Sequence, residues 1–211
     1  MIKSDAVIGI KWSALSQLFH EGMQWVTSII LARFLAVSDF GLFSMALVFV
    51  GFATLFKDLG TSSAVIQRKD ISDELLSSIF WVNIILGISI VAVFFLISPV
   101  VASFYQEIRI IPLMKILSLT FLISSIGSIQ QAILERNLGF NKIACLETIA
   151  TIFGAIVGIG GALLGHGVWS LVYRTFAVAT VTTVLLWYYS TWRPKFIFHS
   201  NVTCRISSCI R

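Results

Sequence analysis

Apolar residues run almost without a break from Trp12 to Tyr189, and the interruptions are short, polar and often basic. A helix of about 20 apolar residues crosses a hydrocarbon core of roughly 30 Å. Six stretches meet or approach that length: Trp12 to Leu35, Phe40 to Phe56, Leu75 to Ser98, Ile110 to Leu134, Ile143 to Gly165 and Gly167 to Tyr189. The second is short and extends toward Leu59, with Lys57 snorkelling to the interface. Membrane-spanning strands would be shorter and would alternate in polarity. The pattern therefore predicts an all-α, polytopic membrane protein. Residues 1–11 form its N-terminal segment, 12–189 a six-helix lobe and 190–211 a polar tail.

Composition sharpens this reading. Hydrophobic residues make up 57% of the 211 positions and charged residues only 12%, about half the charge of an ordinary soluble domain. The mean hydropathy is +0.94, which excludes most soluble enzymes. The polar start Met1 to Asp5 leads into a segment long enough to span, without a small-residue cleavage site, so the first helix is expected to stay in the membrane. Basic residues gather in alternate loops: Lys3 and Lys11, then Lys57, Arg68 and Lys69, then Arg136 and Lys142, then Arg193 and Lys195. Basic loops stay inside, which puts both termini in the cytoplasm. The net charge of +5 then reflects topology and contact with anionic membrane lipids rather than nucleic-acid binding. Trp187, Tyr188, Tyr189 and Trp192 are expected to form an interfacial aromatic belt. Cys145, Cys204 and Cys209 lack the partners of a metal site. The glycosylation pattern at Asn201 lies on the expected cytoplasmic side and is taken as chance. No cofactor is expected.

Ionisable groups at membrane depth are costly and mark function. Glu21, Lys115, Glu147 and Arg174 lie at such depth, with His20 beside the first. On the first helix Ser13, Gln17, Glu21, Gln24 and Ser28 recur at spacings of three and four, which puts them on one face. That face is expected to line a cavity rather than serve only as a stripe of interhelical hydrogen bonds. The fourth helix offers Thr120, Ser124, Gly127, Ser128 and Gln131, and the third Asn83, as further walls. On the fifth, Glu147, Thr151, Gly154, Gly158, Gly161 and Gly165 form a small-residue face suited to close helix packing. Lys115 and Arg174 in the outer half, with Arg33 at the end of the first helix, would make a cationic cavity for an anion such as a phosphate. Snorkelling to the outer interface is the competing reading of Lys115. Neither a water-facing carboxylate pair, nor a metal spacing, nor a phosphate loop is present, so the chain reads as a non-enzyme.

Several segments resemble the opening of the polysaccharide transporter family: Gly9 to Gln17, Leu31 to Leu35 with Asp39-Phe40-Gly41, Phe56 to Gly60 leading to Ala64 to Gln67, Gln131 to Arg136 with Phe140 and Lys142, and Gly165 to Leu171. Together they cover roughly residues 6 to 198, and the nearest likeness is to flippases for the lipid-linked repeat units of colanic acid and related exopolysaccharides. The resemblance implies a bacterial inner-membrane protein that moves an undecaprenyl-diphosphate-linked oligosaccharide by alternating access. In that setting Arg174, Lys115, Arg33, Gln17, Gln24 and Asn83 would bind substrate, and Glu21 would couple transport to an ion gradient. A polysaccharide polymerase or other assembly proteins would be partners.

This chain departs from the family in having Val37 where a proline is usual, and in ending after one lobe of a two-lobe transporter. From about His199 the tail is unlike the family's continuation and resembles a frameshifted or shortened end. A homodimer would be needed if the chain were a native half-transporter. Three other readings compete. A cation or drug extruder of the same superfamily would favour a more acidic cavity, and a non-transporting scaffold of the polysaccharide machinery would need no cavity at all. A membrane glycosyl-transfer enzyme would need an acidic catalytic loop that is absent.

Overall fold

The computed structural model describes residues 18, 20–58, 73–136, 140–190 and 192–194. Gln17, the basic segment from Arg68 and the tail from His199, with Asn201, Cys204 and Cys209, lie outside the described residues. Six helices follow in order: α1 over residues 20–34, α2 (Val37–Asp58), α3 (Asp73–Tyr105), α4 (Ile110–Arg136), α5 (Phe140–Leu163) and α6 (Trp169–Tyr189). The protein is all-α. The last five are long and apolar enough to cross a membrane, and α1 is described from residue 20 on.

Short links at 35–36, 106–109 and 164–168 join the helices into three hairpins. All three links lie at one end of the lobe, here the turn end. The apolar clusters fix this: Leu31 and Leu35 of α1 pack on Ala162 and Leu171, and Leu42 of α2 shares a cluster with Ile110 and Val168. The opposite end, where α1 enters and α6 leaves, is the open end. α4 is the central helix, with half of its spanning window buried against 17–33% in the other four. Its Leu113, Met114, Leu117 and Phe121 bring α2, α3 and the start of α6 into one core.

The third span runs to Tyr105 rather than ending at Ser98, through Pro99. A proline frees the carbonyl four residues back, here that of Phe95, and the Ser98 hydroxyl donates to that oxygen at 3.2 Å. Membrane helices keep prolines on such terms. The sixth helix starts at Trp169, not Gly167, because Gly167 stands at φ +54°. The aromatic belt is corrected too. Tyr188 and Tyr189 are exposed, but Trp187 and Trp192 turn inward onto Phe80 at 6.4 and 6.2 Å between ring centres. The Trp187 indole N–H donates to the Ile126 carbonyl at 3.0 Å. Arg193 then closes α6: its guanidinium donates to the carbonyls of Trp187, Ser190 and Trp192, which satisfies a helix end otherwise short of donors.

Candidate functional site

The polar positions of α1 continue, at about 100° per residue, into Leu31 and Leu35, so one face carries Glu21, Gln24 and Ser28 and then the two leucines. Toward the turn end this face is sealed, with Leu31 fully buried against α5 and α6. Toward the open end it becomes progressively exposed: Ser28 and Gln24 are half-buried and Glu21 is exposed. Thr27, beside this face, satisfies itself by donating to Met23. Among the described residues Glu21, Gln24 and Ser28 make no hydrogen bond. The result is an α1 wall packed on α5 and α6 at the turn end and carrying uncommitted polar groups toward the open end.

Glu147 of α5 stands across from this wall, exposed and within electrostatic range of His20 and of Glu135. Sequence depth alone had placed Glu147 near one edge and His20 on another helix. Only the fold shows that they approach. Glu135 accepts a hydrogen bond from Gln131 at 3.0 Å.

The three cations of the expected anion site go to different places. Arg174 is half-buried on α6, its side chain laid over Gly158 of α5: a methyl added there would stand 3.0 Å from Arg174 Cβ and 3.5 Å from Cδ. Among the described residues it has neither a counter-ion nor a hydrogen bond. Lys115 instead reaches over the Phe95 ring of α3, at 5.2 Å from its centre, a contact that stabilises a cation without neutralising it. Arg33 is exposed near the turn end. Of the three, Arg174 is the half-buried cation without a partner among the described residues.

The expected second and third walls are used for packing. On α4 the hydroxyls fold back on their own helix, Thr120 to Leu117, Ser124 to Thr120 and Ser128 to Ser125, at 2.6, 2.7 and 3.0 Å. Asn83 is buried and donates from Nδ2 to Ser128 Oγ at 2.9 Å, tying α3 to α4. Gly127 lets α6 approach until Thr183 donates to the Ile123 carbonyl at 3.1 Å. One residue unmarked by the sequence reading stands on this face of α4. Gln130, three past Gly127, is fully buried, and its amide has no partner among the described residues. Its spacing from Gly127 was the available signal. Among the described residues no three His, Cys, Asp or Glu side chains group as a metal ion would need.

At the turn end the 106–109 link carries an ion pair. Arg109 donates to both carboxylate oxygens of Glu107, at 3.2 and 3.3 Å. That hydrogen-bonded carboxylate, and more weakly Asp39, raises the guanidinium above its ordinary value. The pair is solvent-exposed, so its contribution to stability is small.

Comparison with known proteins agrees with this all-helical membrane lobe. The chain is 33% identical over 153 residues to the lipopolysaccharide biosynthesis protein WzxC of Escherichia coli, covering 72% of this chain and 31% of that one. It is 30% identical over 189 residues to the succinoglycan biosynthesis transport protein ExoT of Rhizobium meliloti, covering 90% and 38% respectively. It is 29% identical over 203 residues to the teichuronic acid biosynthesis protein TuaB of Bacillus subtilis, covering 93% and 41%. The chain thus spans 31–41% of the length of these relatives. No solved structure matches it. Residues 30–208 match the profile of one family, and by that match the chain belongs to the polysaccharide biosynthesis proteins.

Proposed function

We propose that this chain is the first lobe of a flippase that carries a lipid-linked oligosaccharide across a bacterial inner membrane, and that it is not an enzyme. The open end faces the cytoplasm in this reading, in keeping with the basic residues gathered there. The observation that carries the proposal is the α1 face: Glu21, Gln24 and Ser28 are polar, at membrane depth, and without hydrogen-bond partners among the described residues. Polar groups at that depth are retained where they line a wet path. A sugar chain supplies hydroxyls for Gln24 and Ser28, and Gln17 would extend the same wall.

The diphosphate of such a substrate needs a cation. Arg174 offers a planar, permanently charged donor fork for phosphate oxygens, and no described side chain competes for it. Lys115 and Arg33 would act as longer-range attractors, and Asn83 through its hold on Ser128 of α4. Glu21 is the natural group for coupling to a proton or sodium gradient. The relatives' names extend the reading: one is a succinoglycan transport protein and two serve lipopolysaccharide and teichuronic acid biosynthesis.

The test is binding by the chain in nanodiscs of a fluorescent polyprenyl-diphosphate oligosaccharide, which does not require the lobe to transport alone. Loss of a charge-assisted hydrogen bond removes about 1.5–3 kcal/mol, so Arg174→Ala should weaken binding at least tenfold, while Arg33→Ala changes it little. Equal affinity of the parent and Arg174→Ala would overturn the phosphate role. Failure of the parent to bind any such lipid would overturn the substrate class.

A further inference from the structure

Two of the short motifs singled out in the sequence, Asp39-Phe40-Gly41 and Gly165 to Leu171, are 124 residues or more apart in the chain and meet at the turn end. A methyl placed on Gly167 would stand 3.0 Å from Asp39 Oδ2, 3.7 Å from its Cγ and 3.9 Å from Oδ1. The carboxylate therefore lies against the α-carbon of Gly167, two residues before α6 begins. Gly167 has φ +54°, so the position favours glycine on backbone grounds and also on grounds of space.

Helix α6 begins without a side-chain cap of its own, the amides of Trp169, Ser170 and Leu171 donating back to the carbonyls of His166, Gly167 and Val168 at 3.2, 3.0 and 3.1 Å. Val168 precedes it, its side chain has no oxygen, and no acidic residue occupies the first turn. The first amides of a helix carry a partial positive charge that a nearby carboxylate stabilises. Asp39 itself makes no side-chain hydrogen bond among the described residues, and the other charge it acts on is the exposed Arg109, which is already hydrogen-bonded to Glu107. It is half-buried on α2, directly after the link that follows Leu35.

We propose that Asp39 supplies, from α2, the N-terminal charge that α6 lacks, and so acts as the positioning residue that fixes the α1–α2 corner on the α5–α6 hairpin. Leu35 and Phe40 flank it and pack with Ala162 and Leu171. The charge and the apolar contacts thus form one joint. Because only residues 35–36 link α1 to this corner, the joint fixes the turn end of α1 on α5 and α6. This inference does not depend on the identity of the transported molecule.

A compensation experiment tests it. Asp39→Ala removes the charge. Gly167→Asp introduces a carboxylate where Asp39 already stands, although aspartate tolerates the left-handed backbone better than most residues. Each alone should lower the melting temperature of the detergent-solubilised chain by about 3 °C, the shift expected of 1 kcal/mol in a protein of this size. Combined, Asp39→Ala with Gly167→Asp restores a carboxylate at the start of α6 in the space Asp39 vacated, and should recover most of the loss. A control separates service to α6 from service to Asp39's own helix. Val37→Asp, at an 89% exposed position, returns an acid to the first turn of α2 and should not rescue Asp39→Ala.

A local readout accompanies the melting curves. In a background with Cys145, Cys204 and Cys209 changed to Ser, Leu35→Cys is buried in the joint. Its labelling by a membrane-impermeant maleimide should rise about fivefold, the factor for 1 kcal/mol, on adding Asp39→Asn, and fall again in the compensated double variant. Additive losses in the double variant, rescue by Val37→Asp, or unchanged labelling at Leu35→Cys would each overturn the proposal.

Discussion

The two long hairpins turn through the same hydrogen bonds but with different residues at the critical position. Glu107 N–H donates to Ala102 and Gln106 to Ser103, and likewise His166 donates to Gly161 and Gly165 to Ala162. Both ends are the paired closure in which the residue after the helix takes a left-handed conformation. Gly165 does so at φ +76° without cost, whereas Gln106 does so at φ +55° with a Cβ. Gln106→Gly should therefore stabilise the chain by about 1 kcal/mol, read as a rise in melting temperature, and Gly165→Ala should cost a similar amount. Gly165 was visible in the sequence as part of a small-residue face, and the fold gives it a different task. Gln106 was invisible, since nothing local distinguishes a glutamine that will stand at positive φ. The span expected to end at Ser98 continues through Pro99 because the Ser98 hydroxyl donates to the carbonyl that the proline frees.

At the scale of the element, two stripes of small and polar residues that look alike in sequence have opposite uses. The spacing of Gly154, Gly158 and Gly161 predicted close packing, and α6 occupies that face, with Val178 against Gly154 and Ser170 against Gly161. An added methyl at Gly154 would collide with Val178, and overpacking of this kind costs about 1–3 kcal/mol. Gly154→Ala should lower the melting temperature, and Gly160→Ala, where a methyl meets nothing within 4 Å, should leave it unchanged. The α4 stripe was expected to be a cavity wall, and its hydroxyls are instead spent on their own helix and on Asn83. Serine and threonine satisfy themselves in this way within a helix, and Gln131 does so through Glu135. Glu21, Gln24 and Ser28 on α1 find no such partner among the described residues. Spacing in the sequence does not separate the two stripes, because which helix faces each of them is set by packing.

For the whole molecule, helix number and order were legible because the bilayer imposes length and polarity on every span. Lateral arrangement was not legible, because lipid-facing and partner-facing apolar residues look the same in sequence. The orientation of the lobe is argued from charge and has a direct test. Ile108 is 80% exposed in the link at the turn end, and Lys142 is exposed near the open end. With the three native cysteines changed to Ser, Ile108→Cys should react with an impermeant maleimide added to intact spheroplasts. Lys142→Cys should react only after permeabilisation. That pattern puts the turn end outward, so the polar half of α1 faces the cytoplasm, the side from which the proposed lipid-linked substrate would enter. The reversed pattern would put Arg174 in the inner half of the membrane and the polar half of α1 toward the outside, and the proposed cytoplasmic entry along α1 would then be untenable.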